Sequence, residues 1–127
     1  MNPSDTFNFT DAPLLRDNEF VATIPAGLKS ADALLHALYE RVHLPGYFGF
    51  NWDALSDCLR DLHWIENDRV VLLHADLPAL PLTELRAYLD VLAECVTSWT
   101  AGEAHSLVVV FPLAARSQVA GIDLSSK

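Results

Sequence analysis

The sequence predicts an α/β domain in which helices pack on a small, three-stranded parallel sheet. Three observations lead there. Short β-rich runs alternate along the chain with longer segments of helical period, the order that crossover connections between parallel strands produce. Two of these runs, Val70-Val71-Leu72-Leu73 and Leu107-Val108-Val109-Val110-Phe111, are apolar at every position, as strands covered on both faces must be. The 127 residues, 51% of them hydrophobic, are enough to bury one core and exclude a disordered chain.

Residues 1–18 mix Pro, Asp, Asn and Thr with scattered aromatics and have no clean period. They are expected to form an N-terminal arm in which Phe7, Phe9, Leu14 and Leu15 pack down locally. The domain proper is expected over 19–112. Its first strand is Phe20-Val21-Ala22-Thr23-Ile24, stopped by Pro25 and Gly27. Ser30 then suits a helix N-cap, and Leu34, Leu35, Leu38, Tyr39 and Val42 follow at helical spacing. Pro45-Gly46 breaks that helix and opens an aromatic loop, Tyr47-Phe48-Gly49-Phe50.

A second helix is expected from a cap at Asn51 to about Leu62, with Ala54, Leu55, Cys58, Leu59 and Leu62 on its buried face. Asn67-Asp68 turns the chain into the strand at 70–73, and Pro78 and Pro81 bracket the next break. A third helix runs from Leu82 to about Val96, with Leu85, Leu89, Leu92 and Val96 on one side. The last strand is 107–111. The tail, 113–127, is small and polar enough to be partly loose.

Charge narrows the function. Acids outnumber bases 17 to 8, a formal net charge of -9, which makes direct nucleic-acid binding and attachment to anionic membranes poor expectations and basic partners good ones. No basic, apolar leader opens the chain and no run approaches the ~18 apolar residues of a membrane span, so a cytoplasmic, soluble protein is expected. Two cysteines without a CxxC give neither a disulfide framework nor a zinc site.

The most informative feature is the spacing of Asp53, Asp57 and Asp61 at i, i+4 and i+8. On a continuous helix they stack along one face, opposite the apolar stripe. Like charges so placed weaken a helix by roughly 0.2–0.5 kcal/mol per pair, a cost that Asp53 offsets in part from the first turn. Arg60 can pair with Asp57 at i+3. A solvated face explains any single Asp; three in register beside aromatic rings also suit a docking surface for a cationic partner. Tyr47 fits the rim of such a surface, while Phe48 or Trp52 fits the core.

Catalysis is the competing class. Asp53, Asp57 and His63 are close in sequence, but no nucleophile stands beside a base, no Gly-rich loop could cradle phosphate, and no HExxH is present. The histidines, His36, His43, His63, His74 and His105, lack ligand spacing and read as surface or edge residues. Carboxylates at i, i+4 lack the encircling loop that calcium takes, and Cys58 and Cys95 read as buried thiols. No metal, no cofactor and no enzymatic role are expected.

The segment Leu44-Pro45-Gly46-Tyr47-Phe48-Gly49-Phe50-Asn51-Trp52-Asp53-Ala54-Leu55-Ser56-Asp57-Cys58-Leu59 resembles the signature of the barstar family, intracellular inhibitors of secreted bacterial ribonucleases. Some ten positions match without a gap, and a weaker resemblance extends from Phe20 to Phe111. It implies a barstar-like fold and a protein partner, a basic ribonuclease whose active site the loop and second helix would plug. It also implies that Tyr47 and Asn51 shape the surface, that Asp53 meets basic groups, and that Asp57 is the main anchor where substrate phosphate would bind. Glu94 is the candidate for a further acidic contact from the third helix. Ser56 stands where members often carry Trp, and Trp64 stands in for a second aromatic at a spacing about two residues different, departures that fit a retargeted surface. An interaction module with a non-ribonuclease partner is the alternative.

Overall fold

A computed structural model describes residues 6–100 and 102–122. Its elements are β1 (Asn8–Phe9), β2 (Glu19–Ile24), α1 (Ala31–Arg41), α2 (Trp52–Leu59), β3 (Arg69–His74), α3 (Leu82–Ser98), β4 (Ser106–Phe111), a 3-10 turn (Leu113–Ala115) and α4 (Arg116–Ala120). The strands pair in parallel in the order β1-β4-β3-β2. Register sets Glu19 beside Arg69 and Ile24 beside His74, then Val70 beside Leu107 and Leu73 beside Val110.

The sheet therefore has four strands rather than the expected three. The extra one comes from the arm: Asn8 and Phe9 pair with Val110 and Phe111. Two residues carry no strand period. The pairing, which includes a Thr10 N–H donated to the Phe111 carbonyl at 3.0 Å, is backed by side chains: Phe7 is buried edge-on against Phe111 and Phe9 stacks on the same ring. Leu14 and Leu15, also expected to pack down, stay exposed.

Strand alternation divides the sheet between two coverings. Ala22, Ile24, Val70, Leu72, Leu107, Val109 and Phe111 join the main core with Leu34 and Leu38 of α1, Leu55 and Leu59 of α2, and Leu85, Leu89 and Leu92 of α3. On the other face Val71 and Val110 are also buried, and the segment from Asn8 to Leu15 lines a shallow groove over them. The continuous apolar runs thus reflect burial on both faces, with the arm supplying part of the second cover.

The ends of the helices follow from their capping chemistry. Ser30 Oγ accepts the Ala33 N–H at 3.1 Å and starts α1. That helix stops when His43 turns left-handed (φ 57°) and the Leu44 N–H reaches back to the Tyr39 carbonyl at 3.0 Å, a Schellman closure. The tail is better packed than expected as far as the structure describes it: Ala115, Val119 and Ile122 are buried, and the Leu113 N–H is held by Asp11 Oδ1 at 3.0 Å. Residues 123–127 lie outside the described residues.

Two histidines expected at the surface are buried. His74 stacks on Phe111, its Nδ1 lies 3.0 Å from the Val110 carbonyl, and its Nε2 lies 2.6 Å from the Tyr88 hydroxyl. A carbonyl only accepts, so Nδ1 carries the proton and Nε2 accepts from Tyr88. Burial pushes the imidazole down to about 4 and raises the phenol. His105 likewise donates from Nδ1 to the Asn67 carbonyl at 2.8 Å, edge-on to Trp99. Each burial is explained by a satisfied hydrogen bond.

Candidate functional site: an acidic face beside an aromatic loop

The site begins at the junction of loop and helix. Asn51 has extended backbone geometry, and its Oδ1 accepts the Ala54 N–H at 2.8 Å while its Nδ2 donates to the Gly49 carbonyl at 3.2 Å. One side chain thus caps α2 and fastens the loop to it. Gly49 is needed for that closeness: a Cβ there would stand 3.3 Å from Asn51 Nδ2. Phe50 takes the left-handed region (φ 53°), an unfavourable conformation for a bulky residue, and is held there by packing. Its ring lies against His36 at 4.4 Å, Phe48 at 4.9 Å and Tyr39 at 5.2 Å.

These contacts sort the aromatic residues. Phe48 is in the core, Phe50 and Trp52 are half-buried, and Tyr47 is 71% exposed. Partial desolvation, with the neighbouring Cys58 and the negative field of Asp61, raises the Tyr47 phenol above its usual range. Trp64, considered as a replacement surface aromatic, instead donates its indole N–H to the Val42 carbonyl at 3.1 Å and ties the chain after α2 to the end of α1.

The predicted Asp stripe is shorter than expected. Asp53 and Asp57 project from α2 one turn apart, both exposed, but the helix ends at Leu59 and Asp61 lies beyond it. The Asp61 and Leu62 N–H groups both turn back to the Cys58 carbonyl, and Leu62 is left-handed at φ 53°. Leu62 keeps its place in the core all the same, so the apolar spacing continued after the helix had stopped. Asp61 consequently sits within electrostatic reach of Tyr47 and accepts from or pairs with His63 Nδ1 at 2.9 Å.

The three acids differ in company. Asp57 Oδ1 receives Arg60 Nη2 at 3.3 Å, Asp61 has His63, and among the described residues Asp53 has no ion-pair partner. Asp53 instead lies in the first turn of α2, where the helix N-terminus favours an anion. Ser56 is half-buried and faces α3, where the Cys95 thiol approaches its carbonyl at 3.6 Å and its hydroxyl at 4.0 Å. Glu94 is exposed on α3 next to that contact. Burial pushes the Cys95 thiol up to about 11; Ser56 and Arg60 oppose the rise, and Glu94 and Asp57 add to it. Glu94 and Asp57 thus both lie within electrostatic reach of Cys95.

Nothing in this arrangement activates a nucleophile. Burial and the charges of Asp57 and Asp61 hold the Cys58 thiol protonated, and Cys95 is held more firmly still. Among the described residues no group of three or more His, Cys, Asp or Glu could hold a metal ion, and no helix is long and apolar enough to cross a membrane. The site missed from sequence is the cradle rather than the acids: His36 and Tyr39 of α1, which support Phe50, were legible only as helix residues.

No curated protein matches the chain. A family model described as Barstar (barnase inhibitor) matches residues 19–112, which takes in β2 through β4, the aromatic loop and α2. The chain belongs to the barstar family.

Proposed function

We propose that this protein is a non-catalytic inhibitor of a basic ribonuclease and acts by one-to-one occlusion of the enzyme's active site. The observation that carries this reading is the pair of exposed carboxylates, Asp53 and Asp57, on a helix whose start is fixed by Asn51 beside the exposed ring of Tyr47. A ribonuclease must hold a phosphodiester with cationic groups, so its empty cleft is positive. A capped helix presents carboxylates to such a cleft as phosphate mimics with little conformational freedom to lose. Asp57 is the anchor, Asp53 and Asp61 flank it, Tyr47 supplies a ring at the rim, and Glu94 adds a peripheral charge from α3. Asn51 serves the surface by fixing its shape, and Ser56 by joining α2 to α3. The net charge of -9 favours rapid encounter with a basic enzyme, and the rate should fall as salt rises.

The test is titration of ribonuclease activity. The protein is added in steps to barnase and, separately, to basic ribonucleases captured on it from its host's lysate and secreted fraction. Loss of activity that reaches completion at one inhibitor per enzyme supports the proposal. A captured partner without nuclease activity would support the retargeted module instead.

A further inference from the structure

We infer that Arg60 is a built-in competitor for the cations that Asp57 is meant to receive, and so sets how basic a partner must be to dock. The inference rests on the docking face proposed above and names the residue that tunes it. Arg60 is the C-cap of α2, one turn beyond Asp57. Its guanidinium is held twice: Nη2 lies 3.3 Å from Asp57 Oδ1, and Nε donates to the Ser56 carbonyl at 3.3 Å. The second contact falls in the last turn of the helix, whose partial negative charge favours a cation, although the Ser56 carbonyl also accepts the Arg60 backbone N–H at 3.1 Å. Arg60 is therefore placed on Asp57 by the end of the helix.

Among the described residues, Arg60 is the lone Lys or Arg ion-paired with Asp53, Asp57 or Asp61. Both members of the pair are largely exposed, 51% for Arg60 and 78% for Asp57, so the contact can be broken by a competing cation. An approaching cation must displace Arg60 from Oδ1 or settle beside it as a like charge. Either course disfavours the complex. A weakly basic partner gains too little to overcome this, whereas a strongly basic cleft does. The same face that attracts basic proteins thus carries a device that discriminates among them.

The decisive experiment is a double-mutant cycle at Asp57 and Arg60, with barnase and hexa-arginine as separate probes at low salt. In the Asp57 background, Arg60→Gln should tighten binding of both probes by roughly two- to fivefold, the scale of an exposed ion pair. In the Asp57→Asn background the gain should largely vanish. Arg60→Lys should fall between wild type and Arg60→Gln, because a lysine keeps the charge but not the forked contact. Weaker binding in Arg60→Gln would overturn the inference and make Arg60 a direct partner contact. An equal gain in both backgrounds would also overturn it, leaving only net charge. Failure of the wild type to bind barnase would count against the ribonuclease reading alone, since the hexa-arginine cycle still decides the role of Arg60.

Discussion

The two faces of α2 make opposite use of the same eight residues. The inner face, Leu55, Cys58 and Leu59, is almost wholly removed from water and packs with the sheet, α1 and α3. The outer face, Asp53 and Asp57, is exposed, and among the described residues its one ion pair is that of Asp57 with Arg60. Burial of apolar surface makes the inner face a determinant of stability. The outer face places like charges one turn apart at a small cost to the helix, the local conflict expected where a surface is kept for a partner. The helix should therefore be essential to the fold on its inner side and tolerant of change on its outer side.

That contrast can be broken by substitutions graded from the core outward. Leu55→Ala leaves a cavity beneath the helix and should lower unfolding free energy by about 3 kcal/mol, read from urea denaturation. A similar effect should come from acid acting on a buried polar group, in contrast to the exposed acids. His74 has its pKa depressed in the folded chain, from an ordinary 6.5 to about 4, so the unfolded chain takes up the proton first. Its contribution is complete above pH 6.5 and is lost as pH falls toward 4, a change of about 3 kcal/mol. The difference between wild type and His74→Gln in urea midpoint against pH should show this slope in wild type only.

Asn51→Ala removes the cap of α2 and its tie to Gly49, and should cost about 1 kcal/mol of stability by the same denaturation assay. Smallest of all should be Asp57→Ala, which breaks one exposed ion pair and relieves one like-charge contact. Its effect on folding should lie within about 0.5 kcal/mol of zero.

The sequence shows clearly what local chemistry decides. Ser30 and Asn51 cap the helices they were expected to cap, and the Val-rich runs at 70–73 and 107–111 lie in β3 and β4. What it conceals is decided across the fold. β1 depends on Phe7 and Phe9 finding Phe111, about a hundred residues away in the chain, and two residues have no period to betray a strand. The end of α2 was hidden because Leu62 keeps the apolar spacing while its backbone has already turned left-handed. His74 could not be assigned to the core from sequence because its satisfaction depends on Tyr88 and the Val110 carbonyl meeting it there. The acids of the site were legible as residues, but their company, Arg60 on Asp57 and His63 on Asp61, needed the geometry.

On the function proposed above, the outer face of α2 serves binding and not folding. The most direct test measures Asp57→Ala twice, by urea denaturation and by its affinity for barnase. Folding should be unchanged and affinity weakened by at least about a hundredfold, the consequence of leaving the enzyme's buried cations unpaired. Unchanged affinity in a folded Asp57→Ala protein would contradict it.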